Sequence, residues 1–389
     1  MSVKWLSSAV AIGLACLSLS ACKLDADWER SVSAQVNNEQ RVEWLKDMQA
    51  LANGNVLVAV ETIVVGANRK VDILLSELDK QGDTVWSKVF DLGQNEGIAQ
   101  LLVAQEQAYL LVNTPSGKSR LLAVNKQGQQ RWVYSYQDGS ARSMQLIGDR
   151  IYITGKRTQV LNTKGKLLLD IHQREQTWAV EVGLLGDFYV ASAKAVHAYD
   201  VDGNQLWHLA HAEQGLSQQL DLSWQAGALY LALSEMQGGK AWLKKINIFD
   251  GEVEWQRRIE SPSTSDNLLS GPVLIKAPQT AHIVLVQSYA RGRQLTQLDS
   301  RGRIQWQAEQ DSGFARDLAI NAKGELLVTG NGSTEQFDLQ GNRLLWAKLS
   351  GAVQSTTGQI AVSKDSIYVG ASIYREAKTQ AVVAHYTDQ

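Results

Sequence analysis

Residues 199–207 read YDVDGNQLW and contain the turn that decides the fold of this chain. A β-rich segment ends at Asp200, whose carboxylate can accept hydrogen bonds from the backbone of a tight turn. Gly203 supplies the positive φ that such a turn needs. The next strand then begins and carries Trp207 four residues after the glycine. The stretch therefore predicts a β-hairpin with a tryptophan on its second strand.

The same turn recurs along the chain roughly every 40–50 residues. Its glycines are Gly82, Gly128, Gly165, Gly203, Gly251, Gly302 and Gly341. The residues at the tryptophan position are Trp86, Trp132, Leu169, Trp207, Trp255, Trp306 and Trp346, so one copy has leucine there. Four-stranded propeller blades repeat with this period. The intervening segments alternate with a period of two residues, which excludes a helical solenoid.

The two ends of the chain supply the parts of an eighth blade. Residues 381–389 resemble the strand that precedes each turn, and Trp28 lies within residues 27–33 as Trp255 lies within its own strand. We therefore predict an all-β fold, a single eight-bladed propeller of four-stranded antiparallel blades, in which N- and C-terminal strands share the last blade. The first seven blades are expected to end near Phe90, Tyr134, Ile171, Leu209, Ile259, Ala308 and Leu349.

The N-terminus has the pattern of a secretory signal. Lys4 precedes an uncharged, mainly apolar run over residues 6–19, which is shorter than the ~20 apolar residues of a membrane span. The run ends in residues 19–22, LSAC, which resemble the lipobox of bacterial lipoproteins. This resemblance implies cleavage after residue 21 and a diacylglycerol on the Cys22 thiol. The alternatives are a plain secretory signal, or Cys16 as the lipidated residue.

These features divide the chain into a signal peptide at 1–21, a lipid-anchored tether at 22–26 and the propeller at 27–389. Cleavage would leave Cys22 as the single thiol, so no disulfide can form within the mature chain. The residue after Cys22 is Lys23. In lipoproteins of enterobacterial type an aspartate there marks inner-membrane retention, so the resemblance implies an outer-membrane lipoprotein that faces the periplasm.

The Asp-x-x-Gly-x-x-x-Trp turn resembles the PQQ-like propeller repeat. Quinoprotein alcohol dehydrogenases carry this repeat, and so do lipoproteins of the BamB family in the outer-membrane β-barrel assembly machine. The lipobox, the chain length and the number of blades are most similar to the BamB family. This resemblance implies a non-catalytic scaffold that binds another envelope protein, with β-barrel assembly subunits as the first choice. Leu169 departs from the pattern of the repeat.

Enzymatic functions remain as alternatives. A PQQ-dependent dehydrogenase would need Ca²⁺ and a disulfide between adjacent cysteines, which the mature chain cannot form. A lyase, a lactonase or a ligand-binding sensor could be built from loops around the channel. His208 and His211 have an odd spacing and cannot share one face of a strand, so we predict no metal site. No cofactor is predicted, and the net charge of -2 does not indicate nucleic-acid binding.

No residue can be assigned to partner binding from the sequence. Two longer segments are candidates, residues 260–270 and residues 236–245, and the second contains Trp242. The alternative is that both are ordinary hairpin connections, with Trp242 in a strand of the core. A scaffold should carry an exposed apolar or charged patch on one face, whereas an enzyme should have a polar pocket of converging side chains at the channel.

Overall fold

The computed structural model describes residues 22–388, apart from residues 24, 35–40, 66–69, 94, 105–106, 137–138, 212–215, 226, 236–239, 261–268, 277–281, 290–291, 311–312, 331–332, 350–357 and 376–377. The predicted signal peptide and parts of both candidate loops lie outside the described residues. No helix long and apolar enough to cross a membrane occurs within these ranges.

The strands form eight antiparallel sheets arranged as the blades of a closed propeller. The first four blades comprise β3 (Arg41–Ala50), β4 (Val56–Val64), β5 (Lys70–Leu78) and β6 (Thr84–Phe90); β7 (Gly97–Ala104), β8 (Gln107–Asn113), β9 (Ser119–Asn125) and β10 (Gln130–Tyr136); β11 (Ser143–Ile147), β12 (Arg150–Thr154), β13 (Arg157–Asn162) and β14 (Leu167–His172); β15 (Thr177–Val182), β16 (Phe188–Ser192), β17 (Ala195–Tyr199) and β18 (Gln205–Ala210).

Blades 5 to 7 comprise β19 (Leu216–Gln225), β20 (Ala228–Glu235), β21 (Lys240–Asn247) and β22 (Val253–Glu260); β23 (Leu269–Lys276), β24 (Ile283–Tyr289), β25 (Gly292–Leu298) and β26 (Ile304–Gln310); β27 (Asp317–Ile320), β28 (Leu326–Gly330), β29 (Ser333–Phe337) and β30 (Arg343–Lys348). Blade 8 comprises β31 (Gln359–Ser363), β32 (Ser366–Arg375), β33 (Lys378–Thr387) and β2 (Trp28–Val32). The short strand β1 (Cys22–Lys23) joins the outer edge of blade 7.

The predicted closure of the ring is confirmed. Trp28 of β2 pairs with His385 of β33, and their rings stack with centroids 5.7 Å apart. The first strand of each blade lines the centre of the ring, and β31 packs against β3 as the other inner strands pack against their neighbours. Apolar residues from blades 8 and 1, including Val32, Leu45 and Val383, form a buried cluster across the closing interface. The predicted blade ends lie within two residues of the observed ones.

The repeated turn joins each blade to the one before it. The tryptophan of one blade lies against the turn glycine of the next, so that a Cβ added at Gly251 would lie 2.6 Å from Trp207. The same contact links Trp28 with Gly82, Trp86 with Gly128, Trp132 with Gly165, Trp255 with Gly302, and Trp306 with Gly341. In most of these pairs the indole N–H also donates to a backbone carbonyl of that turn: Trp28 to Lys80, Trp132 to Thr163, Trp207 to Ile248, Trp255 to Ser300, and Trp306 to Leu339.

Three positions depart from this pattern. Leu169 and Ile171 replace the indole at Gly203 with aliphatic contacts. The indole of Trp86 donates to the Glu77 carboxylate of its own blade at 2.7 Å. Trp346 has no turn to contact, because the third and fourth strands of blade 8 come from opposite ends of the chain and no hairpin joins them. Trp346 thus lacks the contact with a following turn that the other repeat tryptophans make.

The dependence of the fold on the turn glycines can be tested within blade 7. Gly341 and Gly324 have nearly the same φ, 83° and 82°, but a Cβ at Gly341 would lie 2.5 Å from Trp306 whereas nothing lies within 4 Å at Gly324. We expect Gly324→Ala to lower the free energy of unfolding by about 1–2 kcal/mol, the cost of the backbone conformation. Gly341→Ala should cost at least about 2 kcal/mol more, because the indole must move. Equal losses in urea denaturation would contradict this interpretation.

Candidate functional site

The residues selected from the sequence have different locations. The repeat glycines and most repeat tryptophans lie at blade interfaces, where they pack rather than bind. Cys22 lies in β1 on the outer edge of blade 7. Trp242 lies in β21, packs against a buried cluster between blades 4 and 5, and has the Arg258 guanidinium 5.7 Å from its ring centroid. Residues 236–239 and 261–268 of the two candidate loops lie outside the described residues.

Three strongly exposed apolar side chains occur on one face of the ring. Because strands alternate in direction, the turn between the first and second strands of a blade lies on the same face as the turn between its third and fourth strands. We call this face the turn face. Leu184 and Leu185 lie in the first turn of blade 4 and are 80% and 89% exposed. Phe249 lies in the third turn of blade 5 and is 85% exposed. We call these three residues, which lie in turns of adjacent blades on the same face, the apolar patch.

Acidic side chains accompany the apolar patch on these two blades. Asp202 is exposed in the third turn of blade 4, and Asp250 and Glu252 are exposed in the third turn of blade 5. The Asp200 carboxylate holds its own turn by accepting from the backbone N–H groups of Asp202 and Asn204. Exposed apolar groups bordered by acidic ones suit a partner with apolar and basic side chains.

The central channel contains a second polar arrangement. Three aspartates on inner strands each accept a backbone N–H from the next blade: Asp47 from Leu101 at 2.6 Å, Asp221 from Ile275 at 2.9 Å, and Asp317 from Ile360 at 2.9 Å. Each also accepts the N–H of the following residue in its own strand with its other oxygen. Gln100 makes the same connection to Met144 at 2.7 Å. We call these cross-blade hydrogen bonds the inner-ring ties.

The environment of the channel changes the acidity of these groups. Burial raises the pKa of Asp47 to about 7, and the negative charge of Asp317 contributes to the rise. Burial likewise raises the pKa of Asp221 to about 6 and that of Glu181 to about 7. Lys276 faces the same space and opposes the rise at Asp221. Carboxyl groups with such raised pKa values occur at active sites, but also in structural networks.

The geometry of the channel favours the structural explanation. The cavity there has a volume of about 570 Å³ and is lined by Asp47, Gln100, Lys276, Asp317 and Gln359. Both oxygens of Asp47 and Asp317 accept backbone N–H groups, one from the same strand and one from the next blade, so these carboxylates join neighbouring blades. Within the described part of the chain, no group of three or more His, Cys, Asp or Glu side chains could hold a metal ion.

Burial of the Asp47 carboxyl predicts an unusual dependence of stability on pH. The pKa of Asp47 is higher in the folded state than its ordinary value, so between about pH 4 and pH 7 the folded state binds more protons. The free energy of unfolding should therefore fall as the pH rises through this window, by up to ~1.4 kcal/mol per pH unit for this group. Asp47→Asn should make the slope less negative between pH 5 and pH 7. Urea denaturation at several pH values measures it, and identical slopes would contradict the prediction.

The sequence contains a signal for the ties that was not recognised. A polar residue precedes an apolar one at the same place in several inner strands, as in Asp47-Met48, Asp221-Leu222 and Asp317-Leu318. Aligning the blades on their turns would have brought these pairs into register. The apolar patch had a weaker signal, because consecutive leucines before a glycine also occur in buried turns.

A protein-family model matches part of this chain. The family model of the outer membrane protein assembly factor BamB matches residues 145–280, which extend from blade 3 into blade 6. The chain resembles BamB. The match covers three consecutive repeats and leaves the N-terminal region and the last blades outside it. No curated protein sequence matches the chain.

Solved structures with a similar shape agree on the propeller fold. Sqt1 from Chaetomium thermophilum has a TM-score of 0.63 at 12% identity, over 89% of this chain and 97% of that one. The hydrazine synthase of Kuenenia stuttgartiensis has a TM-score of 0.54 at 12% identity, over 73% of this chain and 95% of that one. BamB from Moraxella catarrhalis has a TM-score of 0.39 at 13% identity, over 92% of this chain and 100% of that one. At such identities the likeness to Sqt1 and to the hydrazine synthase concerns the fold alone, and the score for BamB is too low to support an argument.

Proposed function

We propose that this protein is a non-catalytic outer-membrane lipoprotein whose propeller binds another envelope protein during assembly of outer-membrane proteins. The observation that carries the proposal is the apolar patch on the turn face. Strongly exposed apolar side chains with acidic residues on the same face are typical of a protein-binding surface. The resemblance to BamB supports assembly as the process and β-barrel assembly subunits as the partners.

The non-catalytic part of the proposal draws on the channel. Its aspartates hold neighbouring blades together through the inner-ring ties and are occupied by those bonds. A propeller enzyme would need channel side chains that are not committed to joining the blades. The ties therefore favour a scaffold over a lyase, a lactonase or a quinone-dependent dehydrogenase.

A substitution in the apolar patch tests partner binding. We expect affinity purification of the wild-type protein from detergent-solubilised membranes to recover β-barrel assembly subunits. Leu185→Asp should reduce this recovery about tenfold or more, because a charge at the centre of an interface costs at least ~1.4 kcal/mol. Leu206→Asp is the matched control, since Leu206 is 53% exposed on the outer strand of the same blade. Absence of assembly subunits from the wild-type sample, or equal recovery with Leu185→Asp, would contradict the proposal.

Lipidation is tested separately. A Cys22→Ser variant lacks the thiol that would carry the diacylglycerol, so it should leave the membrane and appear in the soluble periplasmic fraction. Retention of this variant in the membrane would show that Cys22 is not the anchor.

A further inference from the structure

The outer edge of blade 7 differs from that of the other blades. Cys22 and Lys23 form β1, which pairs in parallel with β30 so that Cys22 lies beside Leu345 and Lys23 beside Trp346. Among the described residues blade 7 is the one sheet with five strands. Paired strands lie about 4.8 Å apart, so the backbone of Cys22 is held at the rim of the propeller. Cys22 and Lys23 are thus docked against the propeller.

This position constrains how a lipidated protein meets a bilayer. Acyl chains on Cys22 have to enter the hydrocarbon region, which places the Cys22 backbone among the headgroups. Because β1 holds that backbone against β30, the outer edge of blade 7 must then touch the headgroups as well. This reasoning rests on the lipidation of Cys22 that is part of the proposed function.

The side chains at this edge suit a bilayer surface. Trp346 is half-buried, lies beside Lys23 of β1, and lacks the turn contact of the other repeat tryptophans. Tryptophans with an apolar ring and an available N–H are enriched at the headgroup level of membranes. Lys348 is exposed, and Lys23 and Arg343 are exposed cations that also pair with Asp25 and Glu335 at 3.3 Å. Exposed cations favour an anionic phospholipid surface.

We propose that the outer edge of blade 7 is the membrane-facing surface of this protein and that the propeller stands edge-on against an anionic bilayer. In a ring of eight blades, blade 3 lies opposite blade 7. The apolar patch on blades 4 and 5 is then on a face that the bilayer does not cover, towards the far side of the ring. The anchor would thereby present the turn face to a partner in the periplasm.

Site-specific fluorescence quenching tests the orientation. In the lipidated protein the Cys22 sulfur is a thioether, so a cysteine introduced elsewhere is the one free thiol. Bimane is attached at Lys348→Cys on blade 7, at Leu168→Cys on blade 3, or at Leu185→Cys on the turn face. Each protein is reconstituted into phosphatidylethanolamine and phosphatidylglycerol liposomes that contain a headgroup spin-labelled lipid. We expect severalfold stronger quenching at position 348 than at positions 168 and 185.

The possible results distinguish the edge-on orientation from the lipidation of Cys22 on which it rests. Equal quenching at 348 and 168 would overturn the edge-on orientation, and strongest quenching at 185 would instead place the turn face on the bilayer. Mass spectrometry of the N-terminal peptide establishes the acyl chains beforehand, and their absence would overturn both lipidation and orientation. A flexible Gly/Ser insertion of about ten residues between Cys22 and Lys23 frees the propeller from its lipid. The insertion should abolish the difference in quenching between positions 348 and 168. An unchanged difference would show that β1 does not cause the orientation.

Discussion

Replacing Trp207 by alanine is expected to lower the free energy of unfolding by about 3–5 kcal/mol, the usual cost of removing a buried tryptophan. Trp207 is 8% exposed and lies between blades 4 and 5. Its indole N–H donates to the Ile248 carbonyl at 2.7 Å, and its ring lies over Gly251. The variant therefore loses packing and leaves a carbonyl of the turn without its donor. Urea denaturation followed by circular dichroism measures the loss.

Trp346→Ala is the matched control for this prediction. Trp346 occupies the same place in the repeat but has no turn of a following blade to contact. We expect its replacement to cost about 1–2 kcal/mol, since the Trp346 side chain is only partly buried. Similar losses for Trp207→Ala and Trp346→Ala would show that the contact with the turn is not what stabilises the repeat. Recovery of partners should be unchanged in both variants under conditions where they remain folded.

Glu335→Ala is expected to destabilise the propeller by about 3–5 kcal/mol, because it leaves a buried charge without its counter-ion. Arg293 of blade 6 is completely buried, and its Nη2 lies 2.7 Å from the Glu335 carboxylate of blade 7. Burial lowers the pKa of the Arg293 guanidinium, while Glu335 opposes that change. Without Glu335, no opposite charge at this site compensates the desolvation of the guanidinium, and the free energy of unfolding falls. Thermal and urea denaturation report the loss.

A double variant distinguishes this electrostatic explanation from simple loss of packing. Arg293→Met combined with Glu335→Leu removes both charges and keeps a similar apolar volume, which is often neutral for buried ion pairs. We expect the double variant to recover most of the stability lost in Glu335→Ala. If it is as unstable as the single variant, the pair contributes through shape and packing, and the argument from an unpaired charge is wrong.

The sequence alone determined the propeller, its number of blades and its closure. These follow from local chemistry: aspartate and glycine at fixed spacing specify a turn, and the period between copies specifies a four-stranded sheet. Trp28 could be placed in the last blade because its strand resembles those around Trp86 and Trp255. Each of these inferences uses residues that are consecutive in the chain.

Only the tertiary structure shows which residues of the neighbouring blade each side chain contacts. Asp47 ties its strand to Leu101 and Trp207 contacts Gly251, and such partners lie some forty to fifty-five residues apart. The exposure of Leu185 and the docking of Cys22 beside Leu345 likewise depend on what packs, or fails to pack, over each turn and edge. Periodicity identifies the elements, but contacts between blades form only when the ring closes, so the candidate binding surface could not be read from the repeat.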